Sequence, residues 1–168
     1  NDALQRASRI KLMIFDVDGV LTDGSLYFNH EGEEFKVFNS LDGHGMRMLR
    51  ESGVRLAIIT GRKAPCVEWR MKNLRIDLLL QGVDNKLAAL KGLLDELGLT
   101  PEEAGFMGDD VIDLQVMDLC GFSAAPANAH PLAMKYARLV TERSGGFGAA
   151  REVCEFILEA QGKLEEAL

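Results

Sequence analysis

Read for its alternation of apolar and polar positions, the chain divides into short apolar runs separated by amphipathic stretches. Ile10 to Phe15 is apolar apart from Lys11 and stops on Asp16-Val17-Asp18-Gly19, which predicts a buried parallel strand ending in a turn. Ser25 to Asn29 and Glu34 to Asn39 flank the polar loop His30-Glu31-Gly32-Glu33, the pattern of a β-hairpin. Gly43 to Ser52 sets Met46 and Leu49 on one face and Arg47 and Arg50 on the other, a helix. Val54 to Ile59 is a second buried strand, and it stops on Thr60-Gly61-Arg62. Ala64 to Leu74 follows as a helix with Pro65 in its first turn, then Ile76 to Leu80 as a third strand. Asn85 to Leu97 carries a stripe of Leu87, Leu90, Leu94 and Leu97 and is stopped by Gly98, which places Lys86 in the first turn of that helix. After a short helix start at Thr100 to Glu103, Ala104 to Met107 is a fourth strand. It ends on Gly108-Asp109-Asp110-Val111-Ile112-Asp113, and Leu114 to Leu119 is helical. Gly121 to Ala125 and Ala137 to Val140 read as further strands around a helix starting near Pro131. Gly145-Gly146-Phe147-Gly148 reads as a flexible break before a last helix, Ala149 to Ala160, with Val153, Phe156 and Ile157 inward.

This alternation predicts an α/β fold: a doubly wound parallel sheet in a single domain spanning residues 1–168, with the hairpin as its one insertion. Open sheets of this kind carry their chemistry just beyond the carboxyl ends of the strands. Those ends hold Asp16 with Asp18, then Thr60, the approach to Lys86, and Asp109 with Asp110 and Asp113. Taken singly, an Asp-Gly or Thr-Gly pair is commonly a turn and a helical lysine is commonly solvated. Convergence on one sheet edge is what gives the set meaning. Two carboxylates as close as Asp16 and Asp18 repel, and a cation is needed to hold both ionised; their hard oxygens suit Mg²⁺. A carboxylate that attacks phosphorus, a second acid to move the proton, and a lysine, a hydroxyl and a cation to meet the phosphoryl oxygens together make a site for phosphoryl transfer.

Composition narrows the substrate more than the fold. The 168 residues have a formal net charge of -7 and contain no basic run, which argues against a nucleic-acid partner. An anionic substrate therefore needs locally placed cations, and Arg62 and Arg70 are candidates, since a guanidinium binds a carboxylate bidentately. The three cysteines, Cys66, Cys120 and Cys154, form no metal-binding spacing and read as reduced, mostly buried thiols. Asn1 to Arg9 is polar and no apolar run reaches the length of a membrane span, so a cytoplasmic protein without a membrane partner is expected.

The set Asp16-x-Asp18-Gly19-Val20-Leu21-Thr22, Thr60-Gly61-Arg62, Lys86 and Gly108-Asp109-Asp110-x-x-Asp113 resembles the four motifs of the haloacid dehalogenase superfamily of phosphatases. The resemblance implies Asp16 as nucleophile and Asp18 as general acid/base, the latter also offering its backbone carbonyl to Mg²⁺. It makes Asp109 the second side-chain metal ligand and places Thr60 and Lys86 on the phosphoryl group. Asp113 would position Lys86, and Asp110 is a supporting acid with no set role. The spacing from Asp18 to Thr60 leaves room for a hairpin and a helix but no cap domain. Capless members with this hairpin, with Gln81-Gly82 and Asn85-Lys86 around the third motif, and with Gly145-Gly146-Phe147-Gly148-Ala149-Ala150-Arg151-Glu152 near the end, act on phosphorylated eight- or nine-carbon 2-keto sugar acids. Those are homotetramers whose hairpins and tails help to enclose neighbouring sites. Gly61, Arg62 and Arg70 are the candidate substrate-binding residues, with a solvated helix face the competing reading of Arg70. One departure stands out: where such relatives carry a basic residue before the Asp-Gly pair, this chain has Leu41 before Asp42-Gly43. A phosphoacceptor signalling domain would share much of the acid, Thr and Lys set, but Asp18 supplies the base that hydrolyses an aspartyl-phosphate, which such a domain must avoid. A non-catalytic assembly domain would have no use for the full set of acids.

Overall fold

The apolar runs become the strands of one parallel sheet. In the computed structural model, which describes residues 1–168, the strands in chain order are β1 (Leu12–Phe15), the hairpin pair β2 (Tyr27–Phe28) and β3 (Glu34–Phe35), β4 (Arg55–Ile59), β5 (Leu78–Leu80), β6 (Ala104–Met107), β7 (Phe122–Ala125) and β8 (Leu139–Val140). The main sheet runs β5-β4-β1-β6-β7-β8 with every pairing parallel, while β2 and β3 pair antiparallel by themselves. β1 lies between β4 and β6, in register Phe15 to Ile58 and Phe15 to Met107, so the ends of all three strands emerge side by side. Asp16, Thr60 and Gly108 are the residues that immediately follow.

The helices are α1 (Asp2–Ala7), α2 (Ser40–Glu51), α3 (Pro65–Asn73), α4 (Lys86–Leu97), α5 (Leu114–Leu119), α6 (Pro131–Tyr136), α7 (Ala149–Ala160) and α8 (Leu164–Ala167). Because successive strand residues point to opposite faces, β1 feeds two cores. Met13 and Phe15 join Leu49, Ile58, Val67, Val153 and Ile157 under α2, α3 and α7. Leu12 and Ile14 join Ile59, Leu90, Phe106, Val116 and Ala133 under α4, α5 and α6. Burial on both faces is why these strands read as continuous apolar runs rather than as alternating ones.

Local chemistry sets the helix starts. Asn39 accepts hydrogen bonds from the backbone N–H of Leu41 and Asp42, so α2 begins at Ser40, three residues before the start expected from its apolar face. Asn85 caps α4 by accepting from Ala88 N at 3.0 Å, which makes Lys86 the first helical residue and directs it along the sheet edge. The polar start of the chain, assigned no element from its pattern, forms α1 on the cap of Asn1.

The glycine stretch differs from its expected role as a flexible break. Gly145 N donates to Asn128 Oδ1 at 2.7 Å, and a Cβ on Gly145 would lie 2.1 Å from the carbonyl oxygen of Gly19. Close backbone approach, not mobility, is what the glycine serves here. The following α7 belongs to the core: Ala149, Ala150, Val153, Cys154, Ile157 and Leu158 are all fully buried, while Phe156 is partly buried and stacks on Phe122. The thiols are free, and burial pushes Cys120 up to about 12, which leaves it inert. No helix is long and apolar enough to cross a membrane.

Candidate active site

β1 delivers Asp16 to the sheet edge, its backbone N–H still bonded to Met107 O of β6 at 3.0 Å. The chain then turns on Val17, whose carbonyl accepts from Val20, Leu21 and Thr22, and passes through Gly19 at φ +82°. A side chain at Gly19 would put its Cβ 1.9 Å from Asp109 Oδ2. Glycine is required there both for the backbone and for the carboxylate that rests against it. Gly108 has a similar constraint, since a Cβ would lie 2.6 Å from Asp113 Cβ.

The acids are organised by Lys86. Its Nζ donates to Asp16 Oδ2 and to Asp113 Oδ1, both at 2.7 Å, and all three side chains are buried. Asp16 Oδ1 accepts from Val17 N at 2.7 Å. Asp113 Oδ2 accepts from the backbone N–H of Asp109 and Asp110, at 3.2 and 3.3 Å, tying the 108–113 turn together. Burial works against the Lys86 charge, but Asp16 and Asp113 outweigh it and hold the ammonium above its ordinary range. Burial, followed by the nearby Asp113, pushes the Asp16 carboxyl up despite Lys86. Asp109 is pushed up to about 7, by burial first and then by Asp16, Asp113 and Asp110.

Carboxylate oxygens of Asp16, Asp109 and Asp113 lie within 4.8 Å of one another, a donor set of hard oxygens with more negative charge than Lys86 offsets. Asp113 already has both oxygens engaged, whereas the Asp109 carboxylate accepts no protein hydrogen bond. The Asp109 carboxylate is therefore the one free to meet a divalent cation, with Asp16, whose oxygens are bonded to Lys86 and Val17 N, in the same set.

Asp18 faces the hairpin. Its Oδ1 accepts from Lys36 Nζ at 2.6 Å and its Oδ2 lies 3.8 Å from Arg62 Nε. Thr60 is buried at the end of β4, with its backbone tied to Leu80 and Val83, and Gly61 leads directly to Arg62. Arg62 reaches the same cluster through Glu34, Nη2 to Oε2 at 2.8 Å. Arg70 points elsewhere: its guanidinium donates to Asn39 O at 3.3 Å and lies over Phe38, between α2 and α3, with none of its bonds made to the acids. Asp110 caps the short turn Val111–Asp113 at the exposed rim. Arg151 brings a guanidinium to 3.4 Å from the carbonyl of Leu41, so a cation does stand beside the position where a basic residue was expected. Sequence reasoning missed Lys36 and Glu34. The available signal was their spacing of two in a strand directly after the acids, which puts both on one face.

Residues 69–151 match the family model of the haloacid dehalogenase-like hydrolases. The chain is 51% identical over 166 residues to the 3-deoxy-D-manno-octulosonate 8-phosphate phosphatase of Escherichia coli K12, covering 99% of this chain and 88% of that protein. Among solved structures it superposes on the 3-deoxy-D-manno-octulosonate 8-phosphate phosphatase of Yersinia pestis with a TM-score of 0.96 and 50% identity, covering 98% of this chain and 89% of the other. The enzyme of the same name from Moraxella catarrhalis, solved in complex with magnesium ion, phosphate ion and KDO, superposes with a TM-score of 0.97 and 42% identity, covering 99% and 95%. The chain belongs to the haloacid dehalogenase-like hydrolases, in the branch that contains the 3-deoxy-D-manno-octulosonate 8-phosphate phosphatases.

Proposed function

We propose that the chain is a Mg²⁺-dependent phosphatase that hydrolyses 3-deoxy-D-manno-octulosonate 8-phosphate to the free sugar acid and phosphate, a step in lipopolysaccharide precursor synthesis in the cytoplasm. The observation that carries the reading is the pair at the end of β1: Asp16 held by Lys86 on the phosphoryl side, Asp18 two residues on and turned toward the hairpin. An Asp16 oxygen attacks phosphorus and the bond from phosphorus to the sugar oxygen breaks, while Asp18 gives its proton to that leaving oxygen. Asp18 then takes a proton from water as the water oxygen attacks phosphorus, and the bond from phosphorus to Asp16 breaks, releasing phosphate. Lys86 and the Thr60 hydroxyl meet the phosphoryl oxygens, and Asp113 keeps Lys86 aimed at them. Mg²⁺ held by Asp16, the Asp18 carbonyl and Asp109 neutralises phosphoryl charge. Arg62, beside Gly61 and 3.8 Å from Asp18, is assigned to the sugar carboxylate, with Arg151 beside Leu41 as a second cation for it; Arg70 donates instead to the Asn39 carbonyl at the start of α2.

The hairpin leaves Leu26, Phe28, Phe35 and Val37 exposed, an apolar surface of the kind that packs between subunits, and a homotetramer is the assembly proposed. Inorganic-phosphate release across eight- and nine-carbon 2-keto sugar acid phosphates, with Mg²⁺ and with chelator, tests the reading. The eight-carbon ester is expected to have the highest kcat/KM, and Asp16→Asn to retain less than about 1% of kcat, a loss of about 3 kcal/mol in barrier stabilisation. Full turnover in excess chelator, or an Asp16→Asn variant with near-normal kcat, would overturn the mechanism. A nine-carbon preference would overturn the substrate alone.

A further inference from the structure

The charged residues of the hairpin have no part in the reaction as written, yet they are tied directly to Asp18. From β3 the chain runs Glu34-Phe35-Lys36-Val37, and the strand period of two sorts these side chains onto opposite faces. Phe35 and Val37 face solvent, Phe35 stacking on Tyr27 with ring centroids 5.2 Å apart. Glu34 and Lys36 face the catalytic edge. Lys36 Nζ lies 2.6 Å from Asp18 Oδ1 and 2.7 Å from Glu34 Oε1; Arg62 closes the ring, 2.8 Å from Glu34 and 3.8 Å from Asp18. The Lys36 side chain is only 1% exposed. Burial works against its charge, but the hydrogen bonds to Asp18 and Glu34 outweigh that and raise its pKa above the ordinary range. Both of its carboxylate partners are within hydrogen-bond distance, so the buried ammonium is fully paired.

We propose that Lys36 is the positioning residue of Asp18, and that docking of the hairpin and alignment of the acid/base are one event. The inference rests on the assignment of Asp18 as general acid/base. Asp18 stands on a turn, and its carboxylate accepts a hydrogen bond from Lys36 and from no other residue. Arg62 at 3.8 Å is too far to fix a direction. Without Lys36 the carboxyl is free to rotate about its side-chain bonds. It must nevertheless meet the leaving oxygen in one half-reaction and the attacking water in the next, at the same place. Glu34 holds a second Lys36 proton and prevents the ammonium from swinging away, while Arg62 holds the other oxygen of Glu34. The hairpin is thus seated on its own catalytic edge by charge, which frees its apolar face for other contacts.

The test is a double-mutant cycle on the full chain at saturating Mg²⁺, with Lys36→Met, Lys36→Arg, Asp18→Asn and Lys36→Met/Asp18→Asn read by steady-state and single-turnover kinetics. Lys36→Met is expected to lower kcat about 10- to 100-fold, the range of an orientation effect, with KM and the Mg²⁺ activation constant held within about threefold. Lys36→Arg should recover most of the loss. In the Asp18→Asn background, Lys36→Met should change nothing further, because the group it orients no longer transfers a proton. Should thermal melts show Lys36→Met to be misfolded, Glu34→Gln takes its place: it loosens Lys36 without removing a charge from Asp18 and should lower kcat in the same pattern by a smaller factor. Wild-type kcat in the folded variant, a change in KM alone, or effects that multiply in the cycle would each overturn the proposal. Near-normal turnover of Asp18→Asn by itself would instead remove the acid/base assignment on which the proposal stands.

Discussion

Replacing Asp109 by asparagine is expected to stabilise the metal-free protein while destroying its hold on Mg²⁺, two effects of opposite sign from one carboxylate. The folded-state carboxyl titrates at about 7 against an ordinary 3.8, because burial and then Asp16, Asp113 and Asp110 disfavour its charge. Below pH 3.8 the group is protonated in both states and costs nothing. Between 3.8 and 7 the folded state binds the extra proton, so stability falls as pH rises, and above 7 the folded state bears the whole cost of the charge. A gap of about three pH units corresponds to about 4 kcal/mol at most. The site lies at the open edge of the sheet, where solvent screens part of it, so a retained value of about 2 kcal/mol is expected. Asparagine has nearly the same shape and no charge, and the variant should gain that amount at pH 8. At pH 5.5, midway along the titration, it should gain about half as much. Urea unfolding in chelator at the two pH values measures both differences. Adding Mg²⁺ should raise the urea midpoint of the wild type and leave the variant where it was. A variant no more stable than wild type at pH 8, or one whose gain is equal at both pH values, would refute the account of the acid cluster as a site strained by its own charge.

Gly145→Ala should lower both melting temperature and kcat/KM, the latter at least about tenfold, because a Cβ 2.1 Å from Gly19 O forces the catalytic turn to move; normal kinetics in the purified variant would show that the turn yields without consequence. Ile157→Ala should cost about 2–5 kcal/mol in urea unfolding, since Ile157 is fully buried in the core under α7, while kcat is kept. A chain ended before Gly145 should accordingly lose cooperative unfolding, and a sharp thermal transition in that truncation would contradict the placing of α7 in the core.

The strands and the acids were legible because each carries its information locally. β1 and β6 are apolar or glycine throughout, β4 is apolar after Arg55 and β7 apart from Ser123, the pattern of strands covered on both faces, and each of the first three stops on residues to which the proposed chemistry is assigned. The convergence of Asp16, Lys86 and Asp113 then follows from topology, because adjacent parallel strands leave their ends at the same edge. Other features depend on a partner distant in sequence. The start of α2 is set by the Asn39 cap, and α7 is anchored by Asp42, which accepts from Arg151 N at 3.0 Å across 109 residues. Glycine content alone could not say whether Gly145 bends freely or lies against Gly19, since the two uses need the same residue.

The hairpin shows the same limit in its charges. A sequence of Glu, Phe, Lys and Val after a polar loop satisfies two descriptions equally: an apolar face toward the protein with charges in solvent, or the reverse. Hydrophobic burial alone favours the first by its usual margin. What reverses the order is Asp18, a carboxylate at the sheet edge that an ammonium on the hairpin reaches at 2.6 Å. A buried charge next to an existing opposite charge gains an interaction that is strong in a low dielectric, and Glu34 and Arg62 complete the pairing so that none of the four is left alone. Exposing Phe35 and Val37 costs less if, as in the proposed homotetramer, a neighbouring subunit covers them. If that cover is absent, as at high dilution, the hairpin should stay seated, because the ring of charges is made within one chain; mutual exclusion of hairpin docking and the monomeric state would require the ring to be weaker than its burial implies.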